Sequence, residues 1–255
     1  MTEITSRKNR LILDALSLHE KKERDGRGLF FTEGKKLLGE ALGVGVIPVR
    51  VFVTDGFLKA NPDILRLECE IIKVTDEVYG KITDEHSPEG VFAIFEKMPI
   101  SVSENKSALL ILEGIQDPGN MGTLLRCATA FGVRGVLTVS CADIYSPKTV
   151  RASMGAVFKM PCTAFENIDG AVAFARDMTD LVVATALHTD SVSIEEVDIS
   201  HAAIMIGSEG RGLSDRAIEL ADKKIIIPIE NIESLNASVA GAICMYTAMM
   251  KRKKK

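Results

Sequence analysis

The sequence predicts an α/β protein that has a mostly parallel sheet in its carboxyl-terminal part and a smaller α/β domain before it. From residue 108 onward, apolar segments of strand length alternate with segments of helical periodicity, which is typical of a parallel sheet. The run IIIP at residues 225–228 predicts a buried strand that ends where a polar loop begins. A polar segment at residues 97–106 interrupts the alternation and indicates a domain boundary.

The first part of the chain predicts a small domain of alternating helices and strands. Residues 6–23 carry apolar side chains on one side and Lys or Arg on the other, which predicts an amphipathic helix. The remaining predicted elements are strands at 29–32, 49–53, 71–74 and 90–95, and helices at 33–42 and from residue 75.

The second part predicts a larger domain of six strands and the helices between them. The strands are predicted at 108–113, 135–139, 160–165, 181–186, 202–206 and 225–228, and helices at 121–131, 168–178 and 214–221, with a last helix ending near residue 250. Gly132 is expected to end a helix, and Ser146 and Pro147 to open another. We therefore divide the chain into residues 1–97, a linker at 98–107, and residues 108–255.

Composition excludes several classes of protein. The 255 residues are 46% hydrophobic, enough for one large core or two modest ones, and a net charge of −4 excludes a uniformly basic coat for nucleic acid. The five cysteines and four histidines are scattered without a C-x-x-C pair, so we expect reduced thiols and no metal site. The amino terminus is polar, and no apolar run approaches the ~18 residues needed to span a bilayer. The sequence therefore predicts a soluble cytoplasmic protein that does not enter membranes.

Three junctions between a strand and the next loop carry unusual polar residues. In the first, QDPGNMGTLLR at residues 116–126, Asn120 lies near a helix start and Arg126 six residues later. A helix N-cap is the alternative role for Asn120, and the two side chains reach one ligand only if Asn120 still belongs to the loop. Arg126 lies between Leu125 and Cys127 on an apolar helix, which indicates an anionic partner.

The second junction is IGSEGRGLS at residues 206–214, and the third is the polar loop after the strand at 225–228. The glycines of the second junction permit close backbone approaches, although their spacing is not that of the dinucleotide-binding fingerprint. The alternative interpretation of Glu209 is an exposed charge in a loop. In the third, Ser234 and Asn236 lie near the start of a long helix, where capping is the alternative. Ligands of open α/β sheets bind at such carboxyl ends of strands.

Together, the three junctions resemble the motifs of the SpoU family of RNA 2′-O-ribose methyltransferases, in the knotted methyltransferase superfamily. NMGTLLR resembles the first motif, IMIGSEGRGLS the second and IIIPIENIESLNASVAGAICMY the third, in that order over about residues 108–250. The first 95 residues resemble the RNA-substrate-binding domain of that family, which is similar to ribosomal proteins of the large subunit.

The resemblance implies a fold, a cofactor and a set of site residues. The implied fold is a sheet with a deep trefoil knot, the cofactor is S-adenosylmethionine, and the assembly is a homodimer with the site near its interface. The catalytic positions of the family match here at Asn120, Arg126, Glu209, Ser234 and Asn236. The cofactor contacts of the family map to Thr185, Leu187, Gly207, Ile227 and Leu235.

The implied reaction is methyl transfer to a ribose 2′-hydroxyl, with ribosomal RNA favoured over transfer RNA because of the large amino-terminal domain. Arg126 is either a base that loses its proton transiently, helped by a substrate phosphate, or a cation that stabilises the forming alkoxide. The alternatives are a tRNA 2′-O-methyltransferase, a base methyltransferase of the same superfamily and a non-catalytic RNA-binding protein.

An acidic protein that binds RNA has to concentrate positive charge in patches. The candidates in the amino-terminal domain are Arg7, Lys8, Arg10, Lys35 and Lys36. The terminal KRKKK at residues 251–255 is typical of a solvated helix end, and contact with phosphate is its alternative.

Overall fold

The computed structural model of the protein describes residues 2–98 and 106–254. These residues form two compact units, each with its own sheet: residues 2–98 together with Tyr145–Phe158, and residues 106–144 together with 159–254. The predicted linker at 98–107 falls mainly on residues 99–105, which lie outside the described part of the chain. Within the described ranges, no helix is both long enough and apolar enough to cross a bilayer.

The first unit is built on a five-stranded mixed sheet. In chain order its elements from the first 98 residues are β1 (Thr2–Ile4), α1 (Arg10–Ser17), α2 (Lys21–Arg27), β2 (Leu29–Glu33), α3 (Lys35–Gly43), β3 (Arg50–Thr54), α4 (Asp55–Ala60), β4 (Glu70–Val74), α5 (Asp76–Ile82) and β5 (Val91–Glu96). The strand order is β1-β4-β3-β5-β2, with β5 antiparallel to both of its neighbours and the other pairs parallel. The four predicted strands of this region are confirmed to within one residue at each end.

The helix predicted at 6–23 is instead two helices, α1 and α2, with a break between them. The buried Arg24 guanidinium donates hydrogen bonds to the Leu18 and His19 carbonyls, at 2.7 Å each. Carbonyls at a helix end have no partner within the helix, so Arg24 stabilises the break. The sequence did not predict β1, because a three-residue strand with only Ile4 buried carries no periodicity.

The two faces of this sheet are covered by separate aromatic clusters. Phe31 stacks on Phe92 with ring centroids 4.5 Å apart, beneath the apolar sides of α1 and α5. Phe30 is the next residue along β2 and therefore points to the opposite face. There it packs against Phe95 and Phe158, with ring centroids 5.7 Å away in both cases.

The second part of the chain supplies a seven-stranded sheet. Its elements are β6 (Leu109–Glu113), α6 (Pro118–Ala130), β7 (Val136–Val139), α7 (Pro147–Ser153), β8 (Cys162–Phe165), α8 (Ile168–Arg176), β9 (Val182–Thr185), β10 (Val192–Ser193), β11 (Ala203–Ile206), α9 (Asp215–Leu220), β12 (Lys223–Ile226) and α10 (Ala237–Lys253). The strand order is β10-β12-β9-β11-β6-β7-β8, and every pairing is parallel. The predicted α/β class with a mostly parallel sheet is confirmed.

The segment Tyr145–Phe158, which contains α7, packs with the first unit although it lies between two strands of the second sheet. The Tyr145 ring lies on Phe30 with centroids 4.7 Å apart. Gly155 has φ +88°, and a Cβ there would lie only 2.6 Å from the Glu40 Cβ, so glycine permits this close approach. The predicted division assigns the whole segment to the second domain, whereas the structure places it in the first unit.

Burial in the seven-stranded sheet decreases from its centre to its edges. All strand residues of β11, and all but the last of β6, are buried at the centre. In β12, which adjoins the two-residue edge strand β10, only Ile225 is buried and the strand ends at Ile226. The prediction of a buried strand through Pro228 was therefore wrong in extent, because β12 lies near the edge of the sheet.

Helix α10 packs closely against α6. A Cβ on Gly241 would lie 2.4 Å from the Leu124 Cδ2 atom, so the absence of a side chain allows this approach. Further along, the Phe131 and Tyr246 rings meet edge to face with centroids 5.7 Å apart. The long helix therefore starts and continues against the helix that carries Asn120.

The basic end of α10 is held by backbone carbonyls. Arg252 donates to the Gly132 and Phe131 carbonyls at 3.1 and 3.3 Å. Lys251 donates to three carbonyls at 2.6 to 3.1 Å, those of Ile194, Glu195 and Val197. The interpretation of the tail as a solvated helix end is thus wrong for Lys251 and Arg252, because both cations satisfy carbonyls of neighbouring loops.

Candidate active site

Three loops at one edge of the seven-stranded sheet carry the predicted site residues. The loops follow β6, β11 and β12, and parallel pairing places the carboxyl ends of these strands at the same edge. Along that edge the strand ends follow the order β12, β9, β11, β6. The sheet therefore brings together residues that are more than a hundred positions apart in the sequence.

Asn120 lies within the first turn of α6. The N-cap of this helix is Asp117, with Pro118 in the first turn, and the Asp117 carboxylate accepts the Asn120 N–H at 2.8 Å. The prediction that Asn120 belongs to the loop or caps the helix was wrong, because the Asp-Pro pair starts the helix three residues earlier. Its side chain is left free to donate to Glu209 and to accept from Asn236, at 3.1 Å in the second case.

Asn236 caps the start of α10, which is the alternative role that the sequence leaves open for it. Its Oδ1 accepts hydrogen bonds from the Ser238 N–H at 2.9 Å, the Ser238 hydroxyl at 2.6 Å and the Val239 N–H at 3.3 Å. Its Nδ2 donates to Asn120 Oδ1. Asn120, Glu209 and Asn236, which we call the Asn120 cluster, are thus joined in one chain of hydrogen bonds.

Arg126 and Ser234 lie outside this chain of hydrogen bonds. Both residues are exposed, and among residues 2–98 and 106–254 neither side chain has a hydrogen bond or an ion pair. The anionic partner expected for Arg126 is therefore not found within the described protein. Its charge is available to a ligand.

The loop that presents Glu209 is held in a tight shape. A Cβ on Gly207 would lie 2.1 Å from the Gly212 carbonyl carbon and 2.3 Å from the Leu213 nitrogen, so only glycine fits. Ser208 and Gly212 exchange two backbone hydrogen bonds, at 2.9 and 3.2 Å, and Gly212 has φ +69°. The exposed Glu209 therefore sits at the tip of a narrow turn that starts at the end of β11.

Glu113 is a residue of this site that sequence reasoning missed. Its two carboxylate oxygens accept the Ser214 N–H and the Ser214 hydroxyl, each at 2.8 Å, and so connect the end of β6 to the far side of the Glu209 loop. A Glu at the end of a predicted strand gives no sequence signal for this role, because its partner is 101 residues away.

The predicted cofactor residues lie beyond three neighbouring strands. Thr185 ends β9, Gly207 follows β11 and Ile227 follows β12. Gly207 is buried, Ile227 and Leu235 are half-buried, and Leu187 is 89% exposed. The Thr185 hydroxyl donates to the Met205 carbonyl at 2.8 Å, so it supports the adjacent strand.

The basic residues predicted to contact RNA fall into two groups in the first unit. Lys8 and Arg10 lie at the start of α1, whereas Lys35 and Lys36 begin α3; these four side chains are exposed and have no hydrogen bond or ion pair within the described residues. Arg7 instead forms an ion pair with Glu77 at 3.3 Å. Contact of these residues with RNA stays a prediction.

The described residues carry other polar features besides the predicted site residues. The described ranges contain no group of three or more His, Cys, Asp or Glu side chains arranged to hold a metal ion. Burial raises the pKa of the Cys244 thiol to about 12. A cavity of about 630 Å³ lies in the first unit, and its lining mixes the acidic Asp84 and Glu85 with the basic Lys148 and Arg151.

The motifs and the sheet have counterparts in known proteins. Residues 107–246 match the SpoU rRNA Methylase family, and residues 9–93 match the MRM3-like substrate binding domain. The chain is 30% identical over 248 residues to the 23S rRNA (guanosine(2553)-2'-O)-methyltransferase RlmP of Bacillus subtilis, covering 96% of this chain and 98% of that protein. It is 28% identical to the human mitochondrial rRNA methyltransferase 3, covering 88% of this chain and 68% of that one.

Among solved structures, the chain is similar to the AdoMet-bound rRNA methyltransferase from Sinorhizobium meliloti. The TM-score is 0.84 at 29% identity, and the match covers 98% of this chain and 97% of that one. The family match spans all three junctions and the Asn120 cluster. The chain belongs to the SpoU rRNA methylase family.

Proposed function

We propose that this protein transfers a methyl group from S-adenosylmethionine to a ribose 2′-hydroxyl in RNA, with ribosomal RNA as the favoured substrate. The observation that carries the proposal is the hydrogen-bonded Asn120 cluster at the carboxyl edge of a parallel sheet, formed by residues that the family resemblance makes catalytic. The name of the similar Bacillus subtilis protein, a 23S rRNA 2'-O-methyltransferase, supports the same reaction here.

S-adenosylmethionine is the proposed cofactor, and the similar AdoMet-bound structure supports it. The residues that would hold it are Thr185, Leu187, Gly207, Ile227 and Leu235. Their chemistry fits the group, because the half-buried Ile227 and Leu235 offer apolar surface to an adenine ring, and loops beyond strand ends present backbone donors and acceptors. When bound, the cofactor supplies a methyl group on a sulfonium, which is a good leaving group.

The residues of the chain then have to align the ribose and favour loss of its hydroxyl proton. Asn120 occupies one carboxylate oxygen of Glu209, and the other oxygen makes no hydrogen bond within residues 2–98 and 106–254, so it can accept one from the ribose. Arg126 is exposed, and a solvated guanidinium stays protonated. Of the two roles given above for Arg126, transient base or stabilising cation, its exposure favours the cation that stabilises the forming alkoxide.

RNA recognition is assigned to the first domain, residues 1–97, and catalysis to residues 108–255. The match of residues 9–93 to a substrate binding domain and the exposed Lys8, Arg10, Lys35 and Lys36 support this division of roles. The proposal also includes the trefoil knot, the likeness of the first domain to large-subunit ribosomal proteins, a homodimer and a cytoplasmic location, as the family resemblance implies.

The test is a methyl-transfer assay with labelled S-adenosylmethionine and two substrates, ribosomal RNA and transfer RNA. We expect label in ribosomal RNA and little in transfer RNA, together with cofactor binding in calorimetry. Asn120→Ala should bind the cofactor and transfer far less label. Cofactor binding without transfer to either RNA would contradict the proposed reaction, and preferred labelling of transfer RNA would contradict the proposed substrate.

A further inference from the structure

We propose that Ser238 is a positioning residue for the Asn120 cluster, an inference that rests on the proposed methyl transfer. Ser238 is only 6% exposed, and its hydroxyl donates to Asn236 Oδ1 at 2.6 Å. Within residues 2–98 and 106–254, this is the only hydrogen bond of that hydroxyl. A buried hydroxyl whose single partner is a site amide is placed to act through that amide.

The direction of the hydrogen-bond chain follows from the groups around Asn236. Backbone N–H groups only donate, so the Asn236 atom that faces the Ser238 and Val239 N–H groups is the oxygen. The Nδ2 group must then face Asn120, and it donates to Asn120 Oδ1. Asn120 in turn presents its own Nδ2 to Glu209. The donors therefore run in one direction, from the start of α10 to the Glu209 carboxylate.

The Ser238 hydroxyl makes the shortest of the three bonds to Asn236 Oδ1. The two backbone bonds measure 2.9 and 3.3 Å, so without the hydroxyl the amide oxygen keeps one good bond and one long bond. Asn236 and Glu209 are exposed and Asn120 is half-buried, so packing alone does not hold their side chains. Because catalytic groups have to stay within about 0.5 Å of their productive positions, the hydroxyl limits rotation of Asn236 and of the chain beyond it.

The first test is Ser238→Ala. Loss of one hydrogen bond to the amide should lower kcat by about three- to tenfold. The dissociation constant of S-adenosylmethionine and the melting temperature should stay close to the wild-type values. Ser238→Thr restores a hydroxyl and should recover most of the lost kcat. If the buried side chain only stabilised the fold, kcat would not depend on the hydroxyl.

A matched control is available before the amino end of strand β11, whose carboxyl end carries the site. The Ser200 N–H and hydroxyl donate to Asp198 Oδ1 at 3.1 and 2.7 Å, so the motif repeats the bonds that Ser238 makes to Asn236. Ser200 is 1% exposed and precedes β11, whose far end carries the site. Ser200→Ala removes an equivalent bond and should leave kcat unchanged.

A double variant tests whether Ser238 acts through Asn236. In the Asn236→Ala background, measured in single turnover, Ser238→Ala should cause no further loss, because the two residues act as one unit. Equal losses in both backgrounds, or a kcat of Ser238→Ala equal to that of the wild type, would overturn the inference while leaving the methyl transfer intact. Inactivity of the wild type and of Ser200→Ala would instead refute the proposed function.

Discussion

At the residue scale, two amide side chains connect the loops of the site. An amide carries both a donor and an acceptor, so Asn120 can accept from Asn236 and donate to Glu209 at the same time. Asp at either position would lose the donor, and Ala would lose both groups. Asn120 can therefore decide where the Glu209 carboxylate lies without itself reacting with a substrate.

Arg126 gives the first prediction at this scale. Arg126→Ala should lower kcat by a factor of about 10² to 10³, because the charge that stabilises the alkoxide is lost. The affinity for S-adenosylmethionine should stay nearly unchanged, since its contacts are assigned to other loops. Arg216→Ala is the matched control, because that arginine pairs with Asp169 at 2.5 Å. Near-normal single-turnover rates in Arg126→Ala would remove the residue from the mechanism.

Asp190 gives a prediction on pH and stability. Hydrogen bonds from Lys224 and then from His188 lower the pKa of this carboxyl from 3.8 to about 2. A lowered folded-state pKa adds stability above the unfolded pKa, and that stability is lost as the pH falls through the folded one. The difference in unfolding free energy between wild type and Asp190→Asn should therefore be constant above about pH 5 and shrink from about pH 4 to 2. Urea titrations check this, and a difference independent of pH would contradict it.

The sequence identified the members of the Asn120 cluster, but not the residues that hold them. Asn120, Glu209 and Asn236 stand out because polar residues follow apolar strands in recognisable motifs. Glu113 acts through a contact that depends on the folded positions of loops, whereas Ser238 makes a local contact at a helix start, where serine is common. Neither residue type is therefore unusual at its place in the sequence. The predicted position of Asn120 outside the helix is wrong, because Asp117 caps the helix and Pro118 begins it.

At the scale of elements, the loop between β11 and α9 depends on glycine for its shape. The Gly207 backbone touches the Gly212–Leu213 peptide where any Cβ would collide with main-chain atoms, which cannot move as a side chain can. Glu113 holds the other end of the loop through Ser214. The loop therefore has little freedom except at its tip, where Glu209 is exposed.

Two glycines in that loop provide a matched pair of variants. Gly207→Ala should force the turn open and so reduce both cofactor affinity and turnover by more than tenfold, as expected for a clash with backbone atoms. Gly210→Ala meets no atom within 4 Å and should behave like the wild type. Calorimetry and turnover measure both effects. Normal cofactor binding by Gly207→Ala would show that the loop shape is not required.

Helices and strands could be predicted where they are long enough to show a period. The six strands predicted in the second part all exist, and most helix boundaries fall within three residues of the prediction. The strands β1 and β10 were missed because they have three and two residues. The break between α1 and α2 was missed because it depends on the tertiary position of the Arg24 side chain.

At the scale of the whole molecule, the two units are interleaved in sequence. The segment Tyr145–Phe158 contributes Phe158 to the core of the first unit, where its ring lies 4.9 Å from that of Phe95. Removal of residues 1–97 would therefore expose Tyr145 and Phe158. Experiments on RNA recognition are better made with point substitutions at Lys8, Arg10, Lys35 and Lys36 than by truncation.

The proposed homodimer gives a prediction for the full chain. Val239 and Tyr246 lie seven residues apart on α10 and are 46% and 49% exposed, which leaves an apolar strip for a second copy. Tyr246→Asp should shift the protein toward monomers and lower activity in parallel. Leu65→Asp is the control, because Leu65 is 51% exposed in the first unit. A fully active monomer in light scattering would contradict the dimer.

The most direct test of the central claim is the atom that receives the methyl group. Ribosomal RNA labelled from S-adenosylmethionine by the wild-type protein is hydrolysed with alkali, which cleaves the chain only where a 2′-hydroxyl is free. If the site built on Asn120, Glu209 and Asn236 methylates ribose, the label appears in alkali-resistant dinucleotides, and Asn120→Ala gives little of it. Label recovered in mononucleotides would place the methyl group on a base and contradict the account.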